Sequence, residues 1–205
     1  MSRTPRNPAD TRRRLLDAAL RVFREKGFVA TSVDDLCAAA GVSKGAFFHH
    51  FADKEAAALA AAEYFSAGAM QLFAEAPHTA LADPRDRLLG YVALRRAMLD
   101  GELPDVTCLF GALVQEVYET HPAIRDACAL GIASHAGTLV ADITAAKDRH
   151  APAADWEPES LALHIQAVIQ GAFVLAKAAG DTTVAADALT HLERYLRYLL
   201  PTRRV

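Results

Sequence analysis

Most of what makes an enzyme legible in a sequence is missing here. There is no G-x-S-x-G, no G-x-x-x-x-G-K-S/T, no G-x-G-x-x-G and no H-E-x-x-H. A nucleophile elbow, a phosphate loop, a dinucleotide fingerprint and a zincin helix are therefore all without support. Cysteine is sparse: Cys37, Cys108 and Cys128, with no C-x-x-C. An odd number without paired spacing argues against a disulfide framework and points to reduced thiols in a cytoplasmic protein. No uncharged apolar run reaches the ~18–20 residues of a spanning helix. The basic start MSRTPRNPADTRRR has no apolar segment behind it, which speaks against a signal peptide and a membrane partner. Strand signals and internal repeats are scarce as well.

What is present is helix. Hydrophobic residues make up 52% and charged ones 23% of 205 residues, enough to bury a core and too apolar for wholesale disorder. Leu15, Ala19, Val22 and Phe23 recur at helical spacing and stop at Gly27, which predicts a helix over 10–26. Thr31 or Ser32 can cap a short second helix carrying Val33, Leu36, Cys37 and Ala40, ended by Gly41. Ser43 can cap a third to about Phe51, and Asp53 a fourth to about residue 75. Further helices are expected at 84–99, 105–119, 122–149, 159–179 and 184–199. The fold class is all-α, with about nine helices.

Net charge is −3, yet it is unevenly spread. Residues 1–30 hold eight Lys/Arg against three Asp/Glu, whereas residues 56–205 hold twelve against eighteen. A basic end on an acidic body is the charge pattern of a chain that docks on nucleic acid through that end.

The short helix, glycine turn and short helix at 33–51 have a helix-turn-helix outline. At about 100° per residue, Phe47, His50 and Phe51 share one face of the third helix and continue the core stripe. Lys44, Gly45, Phe48 and His49 then face outward, as on a recognition helix entering a major groove. Neighbouring histidines diverge on a helix, so His49 and His50 do not read as a metal pair. No metal site and no cofactor are expected.

ATSVDDLCAAAGVSKGAFFHHFADKEAAA resembles the DNA-binding region of the tetracycline-repressor family of bacterial transcription regulators. The register holds over residues 11–60, through A-G-V-S-K-G, F-x-x-H-F and K-E. The resemblance implies a DNA-binding domain at 1–52 and a ligand-binding, dimerising domain at 53–205. It also implies a homodimer formed by the last two helices, a palindromic double-stranded DNA operator and a small-molecule effector. Thr31 matches a hydroxyl that contacts phosphate; Ser43, Lys44 and Gly45 match the start of the recognition helix; Lys54 matches a phosphate-binding lysine. Ala46 stands where the family has Thr or Ser, and Phe48 where it has Tyr, so two hydroxyls are gone from the DNA-facing side. Phosphate anchoring is then expected to lean on Lys44, Lys54 and the arm Arg12, Arg13 and Arg14.

Beyond residue 55 the sequence offers candidates rather than motifs. Tyr91, Arg95, Phe110, Tyr118, His135, Trp156, His164 and Phe173 combine aromatic bodies with polar tips, as ligand pockets do. Leu161, Ile165, Val168, Ala172 and Leu175, and then Leu189, Leu192, Leu196 and Leu199, are the apolar faces expected to form the dimer. Cys108, expected near a helix start where thiolate character rises, makes a cysteine-based redox or electrophile sensor of the same fold the alternative reading.

Overall fold

The computed structural model describes residues 8–202; Arg3 and Arg6 of the basic start lie outside them. Among the described residues there are ten α-helices and no strand: α1 Pro8–Lys26, α2 Val33–Ala40, α3 Lys44–His50, α4 Lys54–Ala74, α5 Pro84–Ala97, α6 Leu103–Val106, α7 Leu109–Val117, α8 Pro122–His150, α9 Pro158–Ala179 and α10 Thr183–Leu199. A 3-10 turn at Pro77–Ala80 precedes α5. The single helix expected at 105–119 is two. The chain leaves helical geometry at Thr107, which is buried and whose carbonyl accepts from Arg24 Nη1 at 3.0 Å. Cys108 follows in extended geometry as the N-cap of α7.

Packing groups the chain into two compact units, with the cuts falling inside α4, between α6 and α7, and inside α8. The first holds the residues up to Gly68 together with Thr107–Gly131; the second holds Ala69–Val106 and Ile132 onward.

In the first unit α1 buries Leu15, Leu16, Ala19, Val22 and Phe23. Ser32, rather than Thr31, caps α2: its hydroxyl accepts from Asp35 N–H while the Asp35 carboxylate accepts from Ser32 N–H. Lys26 and Ser32 together hold the Asp35 carboxyl well below the usual carboxylate range. Gly41 closes α2 with φ 60°, a left-handed conformation that glycine adopts without steric penalty. Phe47 of α3 is fully buried against Phe51, with ring centroids 5.6 Å apart.

The corner between α1 and α2 is clamped by two charges. Lys54 Nζ donates to the carbonyls of Phe28 and Thr31, both at 2.7 Å, and lies 4.3 Å from the Phe28 ring centroid. Glu116 of α7 accepts from the backbone N–H of Phe28 and, at 3.0 Å, from that of Val29. A Cβ at Gly27 would stand 2.7 Å from Glu116 Oε2, and Gly27 has φ 82°, so both space and backbone call for glycine. His121 meets Phe28 edge-on at 4.7 Å.

In the second unit α10 packs on both α9 and α5. Leu161, Ile165, Ile169 and Ala172 of α9 and Leu189, Leu192 and Leu196 of α10 are buried there with Leu88 and Val92 of α5. Buried Arg85 donates from Nε to the carbonyl of Leu200 at 2.6 Å, tying the start of α5 to the end of α10. By length and composition α8 and α9 could cross a membrane, a point the uncharged-run criterion does not register. In α9 the apolar residues responsible include those that pack in this core.

Phe47→Ala should lower stability by about 3–5 kcal/mol, the usual cost of emptying a buried phenylalanine site. Phe48→Ala should change it by less than about 0.5 kcal/mol; urea unfolding of both variants checks the contrast. Glu116→Ala should remove about 1 kcal/mol, because its carboxylate is partly solvated. It should also speed hydrogen exchange at the Phe28 and Val29 amides. Unchanged exchange would show that the corner holds without Glu116.

Candidate nucleic-acid interface

α3 stands on the Gly41 turn with Ser43 as its N-cap, the hydroxyl accepting from Ala46 N–H at 3.2 Å. With Phe47 locked into the core, the opposite side is open: Lys44, Gly45, Phe48 and His49 are exposed, Phe48 at 55%. Ala46 is half-buried. Around Gly45 the nearest atom to an added Cβ would be Ser43 Oγ at 3.9 Å, so nothing inside the fold requires glycine there. The outward face offers a cation, an apolar ring, an imidazole and a place of close backbone approach.

Lys44 Nζ pairs with Asp34 at 2.9 Å across the turn, with both side chains well exposed. Exposed pairs contribute only about 0–1 kcal/mol, so a phosphate can displace Asp34. Arg12 is exposed, its guanidinium 5.6 Å from the Phe51 ring centroid, and Arg13 pairs with Asp10 at 3.0 Å.

Three residues expected to touch phosphate are otherwise engaged. Thr31 is 2% exposed and its hydroxyl donates to Gly27 O at 2.5 Å, so it fastens the corner instead of facing outward. Lys54 spends its ammonium on the carbonyls of Phe28 and Thr31, and burial pulls its pKa down. Arg14 donates to the carbonyls of Ala40 and Gly41, tying α1 to the end of α2. Where sequence spacing suggests free cations, backbone carbonyls at helix ends have claimed two of them. His50 is half-buried, and its ring turns toward that of His49, centroids 5.0 Å apart, so the pair divides less cleanly than helical angles imply. Among the described residues no three His, Cys, Asp or Glu side chains converge.

Of the candidate pocket residues, the second unit brings three together. Tyr91 Oη lies 2.9 Å from His135 Nε2, Arg95 Nε donates to Tyr91 Oη at 3.0 Å, and Arg95 Nη2 lies 2.8 Å from the same His135 nitrogen. Phe73 and Gln166, not anticipated from sequence, complete the cluster. Gln166 had a signal: it is a glutamine inside the buried stripe Ala162, Ile165, Ile169.

The other candidates lie apart. Trp156 is held by Lys147, which donates to its carbonyl at 2.6 Å and lies 5.1 Å from its ring centroid. Phe173 is buried. His164 is exposed beside Tyr195. Cys108, Phe110 and Tyr118 belong to the first unit. There Phe110 packs on Phe65 and occupies the space where Gly131 lacks a Cβ, and Tyr118 is exposed. Cys108 is half-exposed, whereas the Cys128 thiol is pushed up to about 12, chiefly by burial and then by Cys108 nearby.

The faces expected to form a dimer are corrected by burial. Leu161, Ile165 and Ala172, with Leu189, Leu192 and Leu196, close the chain's own core; Val168 and Leu199 are half-buried. Of the expected face Leu175 alone stays open, and it is joined by Leu163 and Val174 on α9 and by Val184, Tyr195 and Tyr198 on α10. Both helices are apolar on two sides, and the inner side was the one that sequence periodicity brought forward.

These features agree with comparisons to known proteins. The family model for bacterial regulatory proteins of the tetR family matches residues 15–61. That for the tetracyclin repressor-like C-terminal domain matches residues 84–192. The transcriptional repressor NemR of Escherichia coli is 27% identical over 189 residues, 91% of this chain and 94% of NemR. Its crystal structure in the reduced form superposes with a TM-score of 0.80 at 26% identity, covering 96% of this chain and all of that one. The repressor DhaR of a Mycobacterium is 31% identical over 125 residues, 61% of this chain and 59% of DhaR. YerO of Bacillus subtilis, an HTH-type transcriptional regulator, is 41% identical over 56 residues, only 19% of its length. Regulators of this family are non-enzymatic and bind DNA as dimers. The helix-turn-helix, the all-helical remainder and the two family models together place this chain in the tetracycline-repressor family of DNA-binding transcriptional regulators.

Proposed function

We propose that this chain is a cytoplasmic, ligand-responsive repressor that binds a palindromic DNA operator as a homodimer and is released by a small-molecule effector. Residues 1–52 serve DNA binding, and residues 53–205 serve ligand binding and dimerisation. The observation that carries the DNA-binding role is the outward face of α3, where Gly45 serves no packing need and Lys44, Phe48 and His49 stand free of the core. Phe48 packs on sugar or a thymine methyl where the family places a hydroxyl, and Ala46 offers a methyl beside it. Lys44 exchanges Asp34 for phosphate, with Arg12 and Arg13 flanking it.

Dimerisation is assigned to the open apolar face of α9 and α10. Val184, Ala188, His191, Tyr195 and Tyr198 recur at alternating spacings of four and three, the pattern of a helix seam. Joining two copies there gives two recognition helices that meet successive major grooves, about 34–36 Å apart. An effector that prefers a conformation with another spacing weakens operator binding, and the operator weakens effector binding by the same factor. The protein needs no metal, cofactor or membrane for this, and it is not an enzyme.

A second reading keeps the fold and makes Cys108 the sensor of oxidants or electrophiles. It is favoured by the half-exposed thiol at the N-cap of α7 and by a relative crystallised in a form described as reduced.

Selection from a random duplex pool with purified protein should return a palindromic consensus; no enrichment at moderate salt would remove the repressor reading. Lys44→Ala should weaken binding to that consensus about tenfold and flatten its salt dependence, while the melting temperature stays put. Cys108→Ser should leave operator release by peroxide or maleimide unchanged if the effector reading holds, and abolish it if Cys108 is the sensor.

A further inference from the structure

α5 carries four arginines, and they are not equivalent. Arg85 pairs with Asp86 at 3.3 Å, Arg87 with Asp142 at 2.7 Å and Arg96 with Glu193 at 3.6 Å. Arg95 pairs with no carboxylate among the described residues. Its polar neighbours are Tyr91 Oη and His135 Nε2, and its guanidinium lies 4.4 Å from the Phe73 ring centroid and 5.4 Å from that of Tyr91.

All of those partners are neutral. A nitrogen that accepts from Arg95 cannot itself carry a proton, so His135 is held as the free imidazole. Burial, and then Arg95, keep its pKa at about 4. Gln166, itself buried, donates to Tyr91 Oη at 3.2 Å, so the phenol proton shares the single lone pair of His135 Nε2 with Arg95. The cluster therefore carries one positive charge, half-buried, with hydrogen-bond acceptors but no counter-charge. A cation desolvated on those terms is costly to fold around, and an incoming anion offsets that cost.

We propose that Arg95 is the anchor for the carboxylate of a monoanionic effector whose remaining body is apolar. This rests on the reading of the chain as effector-controlled and names the effector's chemical class. The guanidinium offers a planar fork that matches a carboxylate in two parallel hydrogen bonds. The single charge of the cluster selects a single negative charge; a phosphate dianion would bring surplus charge into a site whose histidine is neutral. The rings of Phe73 and Tyr91, packed against the guanidinium, give it an apolar setting that suits a ligand with an apolar body. Tyr91, His135 and Gln166 are positioning residues that hold Arg95 before the ligand arrives.

The test is a titration of the full-length protein followed at the Arg95 side-chain Nε–H resonance, assigned by its loss in Arg95→Gln. Sodium benzoate is the probe, with benzamide as its neutral isostere and inorganic phosphate as the dianion. Benzoate should shift the resonance saturably, and benzamide should bind at least about tenfold more weakly, a loss of one charge-assisted contact. Phosphate should do no more than chloride at matched ionic strength. Calorimetry should show benzoate affinity falling about tenfold or more in Arg95→Gln and partly recovering in Arg95→Lys. An unmoved resonance up to the solubility limit of benzoate, equal binding of benzamide, or undiminished benzoate binding by Arg95→Gln overturns the assignment. Should Arg95→Gln not fold, the wild-type comparison of benzoate with benzamide decides alone. Benzoate bound at Arg95 without change in operator affinity would instead sink the effector reading and leave the site. Operator release by a neutral compound with Arg95 unmoved would do the reverse.

Discussion

Lys54 and Glu116 hold the same short stretch of backbone by complementary chemistry. The ammonium takes carbonyls at Phe28 and Thr31; the carboxylate takes N–H groups at Phe28 and Val29. A corner between helices leaves backbone groups of both kinds without helical partners, and they must be satisfied for the helices to hold one angle. With the Thr31 hydroxyl closed onto Gly27, the five residues from Gly27 to Thr31 are fastened by side chains rather than by a ladder. α2 starts from that corner, α3 is turned out by Gly41 from the end of α2, and the outward face of α3 follows from both. The corner thus sets where Lys44 and Phe48 stand.

This arrangement also gives α7 and the residues flanking it a direct hold on α1 and the corner after it. Glu116, His121 and the carbonyl of Thr107 all reach α1 or the corner after it, and all come from the segment that packs with the first unit. Cys108 caps the same helix. A change in α7, whatever drives it, would act on backbone that orients α2, without passing through α3 itself. Coupling through a charged contact to backbone is stiff, because displacing the carboxylate leaves two amides unpaired at once.

The second unit separates its polar chemistry from its apolar faces. One side of α9 and α10 packs inward, the other stays open with Leu163, Leu175, Tyr195 and Tyr198, and Gln166 sits on the inner side to reach Tyr91. Three arginines of α5 find carboxylates, and Arg85 also ties the helix to the Leu200 carbonyl, while Arg95 is enclosed by rings and neutral acceptors. The same residue type serves as a fastener in three places and as an unspent charge in one.

The sequence by itself determined the helices, their caps and the division of α3 into a buried and an open face. Those features depend on local rules: glycine where φ is positive, serine where N–H groups are orphaned, apolar residues at helical spacing. It also determined the family, because the A-G-V-S-K-G and F-x-x-H-F spacings are local too. What tertiary structure decided was the use of each charge and the partner of each apolar face. Arg14 and Lys54 read as free donors until carbonyls 23 to 27 residues away are brought against them, and the Thr31 hydroxyl reads as free until the corner folds it onto Gly27. Glu116 carries no local signal at all, since its partners lie 87 and 88 residues earlier. Periodicity says that α9 and α10 are apolar, but with two apolar sides it cannot say which one the chain keeps for itself; only packing distributes them. The isolation of Arg95 is likewise invisible along the chain, because an arginine is paired or unpaired only relative to carboxylates that folding places near it.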